Sequence, residues 1–251
     1  MDRFQQYVWK LFVIWFSIGL LLVGFSLLPS WLEWANAVFL FLSGTYAAFY
    51  LWHVLPKARF IIPLIFFGSI LIESFGTKTG LLFGKYIYTT EFGPLWLGVP
   101  ITMGPAWLSV IGASYAFSRL FSIRYSTLLI VPLLTVWLDL AIDPVASLNQ
   151  YWVWQEPGIY YGIPTQNFLG WYITALFFSL FIAKYEEPAT NLQLERNNQK
   201  LFLMLHVLFG VTAWTSGLHG VLFVTCSVIL IYLAYYSRYK RRTFNHPVDR
   251  P

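Results

Sequence analysis

The sequence has very few charged side chains for its length. Of its 251 residues only 11% are charged, whereas 58% are hydrophobic and 20% are aromatic. Soluble domains carry about 25% charged residues, so a water-soluble globule of this composition would lack a polar surface. The composition therefore excludes a soluble enzyme, a disordered protein and a nucleic-acid-binding protein, despite the net charge of +5. It indicates a membrane protein.

Cysteine is nearly absent and histidine is sparse. The single cysteine, Cys226, excludes a disulfide framework, a cysteine zinc site and an iron–sulfur cluster. The four histidines form no closely spaced ligand pair and no HExxH motif. No GxGxxG follows a strand, and GxxxxGK[ST] and GxSxG are absent. We therefore expect no metal, no cofactor, and a chemistry that uses carboxylates, aromatic rings and water.

Long apolar runs dominate what is present. A helix that crosses a bilayer needs about 20 mostly apolar residues. Eight such runs predict an all-α, polytopic integral membrane protein that forms a single transmembrane domain, 1–251. The predicted spans are 8–29, 35–55, 59–75, 98–120, 126–147, 167–184, 200–216 and 218–237. The last two come from one continuous run, which we divide at Thr215-Ser216-Gly217 because turn-forming residues cluster there.

The distribution of Lys and Arg residues predicts the orientation of these spans in the membrane. With eight spans both termini lie on one side, and that side collects 14 of the 16 Lys and Arg residues, leaving Lys78 and Lys85 opposite. Basic loops face the cytoplasm, so we expect a multi-pass cell-membrane protein with both termini cytoplasmic. The basic tail, 238–251, then needs no partner beyond anionic lipid head groups. The polar segment 185–199 is predicted to be a solvated cytoplasmic loop.

Two long segments on the opposite side are dense in Gly, Pro, Trp and Tyr. They are 76–97 and 149–166. One interpretation is an aromatic belt at the membrane interface. The alternation in Tyr86-Ile87-Tyr88 and Trp152-Val153-Trp154, punctuated by glycines, instead favours ordered backbone folded over a cavity.

Carboxylates occur where a bilayer disfavours them. Asp139 lies about two-thirds along the fifth predicted span, where a charge costs about 2.5–3.5 kcal/mol even on the mildest scale. Asp143 follows one turn later on the same helix face, and Pro144 predicts the end of regular helix or a kink. Glu73 near the end of the third span and Asn167 at the start of the sixth lie at a similar depth. The sequence therefore predicts that these four side chains converge.

Paired carboxylates at this spacing repel each other when both are ionised. We expect a neutral carboxylic acid beside a carboxylate, which suits general acid–base chemistry. Structural alternatives stay open at this point. Asp143 could be a helix-end residue facing interfacial water, Glu73 could pair with Lys78, and Asp139 could hydrogen-bond a neighbouring helix.

Several ordered motifs lie within about 60–180. They are Glu73-Ser-Phe-Gly-Thr-Lys-Thr-Gly-Leu-Leu-Phe-Gly-Lys-Tyr86-Ile-Tyr88, Gly98-Val-Pro100, Asp139-x-x-x-Asp143-Pro144, Trp152-Val-Trp154 and Tyr160-Tyr161-Gly-Ile-Pro-x-x-Asn167-Phe-Leu-Gly-Trp171. These motifs resemble those of integral-membrane carotenoid hydratases, the carotenoid 1′,2′-hydratases and related C50-carotenoid hydratases. The resemblance implies addition of water to a terminal double bond of an acyclic carotenoid, giving a tertiary alcohol. Its implied partners are the carotenoid, the lipid bilayer and other enzymes of the same pathway.

Hydration of such an alkene needs a proton donor, protection of a tertiary carbocation and one positioned water. We expect Asp139 to donate the proton, and Asp143 or Glu73 to deprotonate the attacking water. Asn167 is expected to hold that water or the product hydroxyl. The aromatic residues that we expect to bind the substrate or stabilise the cation are Tyr86, Tyr88, Trp152, Trp154, Tyr161 and Trp171.

Three other functions remain as alternatives. Asp139-x-x-x-Asp143 has the spacing by which membrane prenyltransferases hold Mg²⁺ and diphosphate, although we find no second acidic motif. A carotenoid end-group cyclase also begins with protonation, but its product gains no oxygen. A carotenoid-binding or transport protein could use the acids as a proton relay, although no inverted repeat indicates alternating access.

Overall fold

The computed structural model describes residues 2–89, 92–121, 123 and 125–245. About 72% of the described residues are helical, and they form eight α-helices. These helices are α1 Arg3–Leu22, α2 Trp34–Val54, α3 Ile61–Thr79, α4 Met103–Ser118, α5 Ser126–Leu148, α6 Thr165–Tyr185, α7 Leu192–Thr215 and α8 His219–Asn245. The short strands are β1 Tyr86–Tyr88, β2 Leu95–Trp96, β3 Val99–Pro100 and β4 Trp152–Trp154. The predicted all-α class is confirmed.

Six of the eight helices are long and apolar enough to cross a membrane. The two others in the described part of the chain are α4 and α7. α4 has 16 residues, and at 1.5 Å per residue it is about 24 Å long, shorter than the ~30 Å hydrocarbon core. The first turns of α7 carry a polar run, LQLERNNQK. The protein is thus membrane-embedded with six candidate spans.

α4 is the central helix of the bundle. It packs against α2, α3, α5 and α7, and all of its residues except Ala106 are buried. Small residues allow the close approach of α2 to α4: a Cβ on Gly44 would lie 2.4 Å from the Pro105 carbonyl oxygen, and one on Gly112 would lie 2.8 Å from the Ala47 Cβ. This use of small residues at a helix contact is typical of membrane bundles.

The two Gly- and aromatic-rich segments are ordered, as predicted. β1 in the first pairs antiparallel with β4 in the second, with Tyr86 opposite Trp154 and Tyr88 opposite Trp152. The segments 76–97 and 149–166 therefore form one joined cover over the same end of the bundle. Residues 90 and 91 of the first segment lie outside the described residues.

The helix expected from residue 98 begins instead at Met103. Residues before it form the β2–β3 hairpin, in which Trp96 pairs with Val99 across a two-residue turn. Leu97 and Gly98 have positive φ of 56° and 83°, the geometry of a type I′ hairpin turn. The Ser74 hydroxyl donates to the Leu97 carbonyl oxygen at 2.8 Å and fixes the hairpin on α3.

The prediction of a solvated loop over 185–199 is wrong in its second half. α7 begins at Leu192, and the Asn191 side chain caps it by accepting from the Leu194 N–H at 3.1 Å. Asn197 and Asn198 are buried, and Asn197 donates to the Tyr46 hydroxyl at 2.8 Å. Polar partners inside the bundle replace the water that the sequence pattern suggested.

One end of the bundle, which we call the ion-pair end, collects charged residues. Lys57 pairs with Glu187 at 2.9 Å and Arg119 pairs with Glu195 at 3.0 Å. The Tyr115 hydroxyl donates to Glu186 at 2.7 Å. The end of α4 and the ends of the α6–α7 connection therefore meet here. Arg124 and Arg250, which contributed to the charge count that orients the chain, lie outside the described residues.

The break between the last two helices is where the sequence predicts it. α7 ends at Thr215, α8 starts at His219, and Gly217 between them has φ +82°. The backbone of α8 continues to Asn245, beyond the predicted end of that span at 237.

Candidate active site

Three carboxylates and one amide meet at the end of the bundle opposite the ion-pair end. We call this the carboxylate end. Asp139 and Asp143 come from α5, Glu73 from α3 and Asn167 from the first turn of α6, and all four are buried. The convergence predicted from the sequence is therefore present.

Asn167 joins the two aspartates. Its Nδ2 amide donates to Asp139 Oδ2 at 2.8 Å and to Asp143 Oδ2 at 2.5 Å. Because both Oδ2 atoms accept from one nitrogen, the two carboxyl groups lie side by side. Asp143 is 1% exposed, so the alternative of an interfacial helix-end residue facing water does not describe it.

Glu73 is surrounded by donors from three parts of the chain. The Tyr86 and Tyr88 hydroxyls both donate to Oε2, the latter at 3.1 Å, and Trp107 Nε1 donates to Oε1 at 3.1 Å. Lys78, the alternative partner of Glu73, forms no ion pair with it among the described residues. Burial, and after it the charge of Glu73, raises the pKa of both phenols well above 10, so they remain protonated donors at neutral pH.

The strand pairing explains why both tyrosines reach one carboxylate. Side chains alternate between the two faces of a strand, so Tyr86 and Tyr88 point to the same side of β1. Across the ladder the Tyr86 ring lies 4.9 Å from Trp154 and the Tyr88 ring 5.9 Å from Trp152. The cover over the carboxylate end is therefore an aromatic wall.

α5 continues past Pro144 instead of ending there. The helix runs to Leu148, so the prediction that regular helix ends at Pro144 is wrong. Proline has no N–H for the Leu140 carbonyl four residues earlier, and the Tyr160 hydroxyl donates to that carbonyl at 2.8 Å. Tyr160 thereby satisfies the group that Pro144 leaves free and ties the second cover segment to α5 beside Asp139 and Asp143.

Trp171 lies in the site, whereas Tyr161 does not touch the carboxylates. Trp171 stacks on Trp107 with centroids 4.5 Å apart, which places it behind the indole that holds Glu73. Tyr161 has φ +50° and is 40% exposed. Its hydroxyl accepts from the Gly220 N–H at 2.9 Å, so it joins the second cover segment to the start of α8.

Two buried polar atoms in the site have no hydrogen-bond partner among the described residues. They are Asp139 Oδ1 and Trp154 Nε1. Buried polar groups are nearly always partnered, so these atoms are available to water or to a ligand. The described residues contain no group of three or more His, Cys, Asp or Glu side chains that could hold a metal ion.

Sequence reasoning missed Trp107 and Tyr160 as site residues. Trp107 is one of 12 tryptophans and carries no local motif, so only the fold places its indole on Glu73. Tyr160 was noted within a motif, and a signal for its role was present. A proline inside a helix implies a free carbonyl four residues earlier, and a nearby tyrosine is a suitable donor.

The chain matches a family model described as "Carotenoid biosynthesis protein" over residues 35–235. It is also 31% identical over 109 residues to a bisanhydrobacterioruberin hydratase of Haloarcula japonica. That match covers 41% of this chain and 37% of the relative, so it spans well under half the relative's length. No solved structure matches.

The family match includes all but the first residue of α2, the whole of α3 to α7 and nearly all of the apolar part of α8, and it includes every residue of the carboxylate end. It therefore covers most of the chain and not one local motif. The chain therefore belongs to the carotenoid biosynthesis protein family.

Proposed function

We propose that the protein is a carotenoid hydratase that adds water to a terminal double bond of an acyclic carotenoid, giving a tertiary alcohol. The observation that carries this proposal is the buried Asp139–Asp143 pair bridged by Asn167. Two carboxylates bridged by one amide inside an apolar bundle repel each other, and we propose that in the resting site the pair holds one proton beside one carboxylate. That is an acid and a base in a single unit.

The acid step begins from Asp139. Its proton moves to the less substituted carbon of the double bond, and the positive charge develops on the tertiary carbon. Water attacks that carbon and gives up a proton to Asp143. The proton then returns from Asp143 to Asp139, its neighbour on the Asn167 amide, so the net change is the addition of one water.

Glu73 and the aromatic wall stabilise the cation. Three donors hold Glu73 in place, and its negative charge, fixed before the reaction, lowers the energy of the developing positive charge. The faces of Tyr86, Tyr88, Trp152 and Trp154 add cation–π attraction, worth about 2 kcal/mol or more when desolvated. Trp171 contributes by packing behind Trp107.

The position of the site suits this reaction. A polyene is soluble only in the apolar interior, whereas water comes from the membrane surface. The carboxylate end lies next to the ordered cover, which excludes bulk water that would quench the cation. We place this end at the outer face of the cell membrane and the ion-pair end, with both termini, at the cytoplasmic face.

The similarity to a bisanhydrobacterioruberin hydratase supports hydration over other carotenoid chemistry. Because that match covers only part of each chain, the length of the carotenoid and the number of ends hydrated are not assigned by it. We propose the reaction type and no single substrate.

The test is expression in a bacterium that accumulates an acyclic carotene, with pigment analysis by liquid chromatography and mass spectrometry. We expect a more polar pigment, heavier by one or two waters, that disappears in the Asp139→Asn variant. A membrane-inserted wild-type protein that leaves C30, C40 and C50 acyclic carotenes unchanged would contradict the proposal.

The same assay separates the alternatives. A cyclase gives a product of unchanged mass. A Mg²⁺-dependent prenyltransferase gives a product heavier by isoprenoid units, and a chelator stops its reaction. A binding or transport protein retains the pigment without changing it.

A further inference from the structure

Next to the carboxylate end, the bundle contains an apolar cavity system, the larger part of which is lined by none of the residues assigned to the reaction. A large cavity of about 280 Å³ lies between α1, α2, α5 and α7, and a small one of about 60 Å³ lies deeper, against α4 and α6. Four side chains line both cavities: Phe39, Leu40, Phe92 and Phe209. The two cavities are therefore neighbours, separated by a neck of apolar side chains.

The small cavity ends at the catalytic residues. Its lining includes Trp107, Trp152 and Trp171. Trp107 donates to Glu73, Trp152 lies against Tyr88, and Ile142 in the same lining precedes Asp143 in the chain. A molecule that fills both cavities would therefore have one end at the aromatic wall of the active site.

The large cavity offers a ligand almost no polar contact. The Asn36 Nδ2 amide donates a hydrogen bond to the Tyr151 hydroxyl at 2.9 Å, and the Thr212 hydroxyl donates one to the Leu208 carbonyl oxygen at 2.9 Å. With these groups satisfied inside the protein, the lining offers a ligand mainly aliphatic side chains and aromatic rings, and its polar side chains Asn149 and Tyr151 lie at one edge. Such a surface favours an apolar ligand and discriminates against a polar one.

The lining of the cavity system reaches the surface of the bundle on one side and adjoins a polar pocket at another edge. Ile18 on its α1 side is 52% exposed, which puts the lining next to the surface of the bundle. At its other edge it shares Asn149, Tyr151 and Thr212 with a polar pocket of about 480 Å³ that contains Glu33 and Gln150. Its far end can thus accept either bare hydrocarbon or a chain that ends in a polar group.

We infer that this cavity system is the binding channel for the polyene chain of the carotenoid, with the neck at Phe39 and Phe209 leading the chain to the active site. The inference rests on the proposed function, because it takes an acyclic carotenoid as the occupant. It goes further by assigning substrate binding to α1, α2 and α7, which carry none of the catalytic carboxylates.

Gly19 is a position at which a larger side chain can be directed into the channel. It lines the large cavity, and a Cβ added there would have no atom within 4 Å. A Gly19→Phe substitution therefore places a ring in the channel. The matched control is Leu21→Phe on the same helix, because Leu21 is 60% exposed and lines neither cavity.

The experiment is purification of the wild type and both variants from cells that accumulate an acyclic carotene. The ratio of bound pigment to protein is measured by absorbance, and hydrated product by mass spectrometry. We expect Gly19→Phe to lower bound pigment at least tenfold and Leu21→Phe to match the wild type. Equal thermal unfolding of the two variants in detergent shows that both are folded.

The outcomes separate this inference from the proposed function. Pigment retention by Gly19→Phe at the wild-type level, or equal loss in both folded variants, overturns the channel. Pigment that binds the wild type, leaves with Gly19→Phe and is never hydrated supports the channel and contradicts the hydratase proposal. If Gly19→Phe fails to fold, Ala35→Phe, from the α2 side of the same cavity, replaces it in the comparison.

Discussion

Removing the phenolic hydroxyl of Tyr160 tests how α5 passes through Pro144. In the wild type this hydroxyl donates to the Leu140 carbonyl at 2.8 Å, a group to which residue 144 cannot donate. Tyr160→Phe leaves that carbonyl unpartnered, and an unsatisfied buried group costs about 1–3 kcal/mol. Because Tyr160 is only half-buried, we expect a loss near the low end, about 1 kcal/mol, or roughly fivefold in the folding equilibrium.

A double-mutant cycle isolates this interaction. Pro144→Ala restores an N–H four residues after Leu140, so the Leu140 carbonyl regains a helical donor. In that background Tyr160→Phe is expected to cost close to nothing, giving a coupling of about 1 kcal/mol between the two sites. The stability of each variant is measured by unfolding in mixed detergent and SDS micelles, followed by tryptophan fluorescence.

Equal costs of Tyr160→Phe in both backgrounds would refute the reasoning, because the hydroxyl would then stabilise something other than the carbonyl that Pro144 frees. Tyr161→Phe serves as the matched control. Its hydroxyl accepts from Gly220, so its cost is expected to be independent of residue 144.

Three further predictions concern the cover and the site. Gly158→Ala would place a Cβ 1.9 Å from the Ile163 carbonyl oxygen, so we expect at least about 1 kcal/mol of destabilisation and faster proteolysis of the second cover segment; unchanged proteolysis would contradict this. Glu73→Gln keeps the side-chain shape but removes the charge, and we expect initial hydration rates to fall about 100-fold; a wild-type rate would remove Glu73 from the mechanism. Ile159→Cys in a Cys226→Ser background introduces a 95% exposed thiol that an impermeant maleimide should label in intact cells; labelling only after permeabilisation would reverse the orientation.

Local patterns in the sequence were enough to predict the helices and the convergence of the carboxylates. Apolar length and turn-forming residues are local properties, so the break after Thr215 was predictable. The spacing of Asp139 and Asp143 placed them on one helix face, and depth along the spans brought Glu73 and Asn167 to the same level.

Contacts between distant residues were not predictable in the same way. Asn197 is buried because Tyr46, 151 residues earlier, accepts its hydrogen bond, and no local pattern distinguishes it from a solvated asparagine. The role of Trp107 in the site was not predictable for the same reason, because its partner Glu73 is 34 residues away. The β2–β3 hairpin requires positive φ at Leu97, a conformation that its apolar side chain does not suggest.

The cavity system could not be predicted from the sequence either. Phe39, Phe92 and Phe209 come from three distant parts of the chain, and each is an ordinary apolar residue in its own segment. Only the packing of α2, α4 and α7 shows that the space between them is left open.

The most direct test of the mechanism is hydration of an acyclic carotene by purified protein in water labelled with ¹⁸O. The wild type is expected to give an alcohol heavier than the substrate by one labelled water per hydrated end. The Asp139→Asn variant, which keeps an oxygen to accept from Asn167, is expected to fold normally and give no product. Labelled alcohol formed by Asp139→Asn at the wild-type rate would contradict the assignment of the proton donor, and the absence of label in any wild-type product would contradict hydration itself.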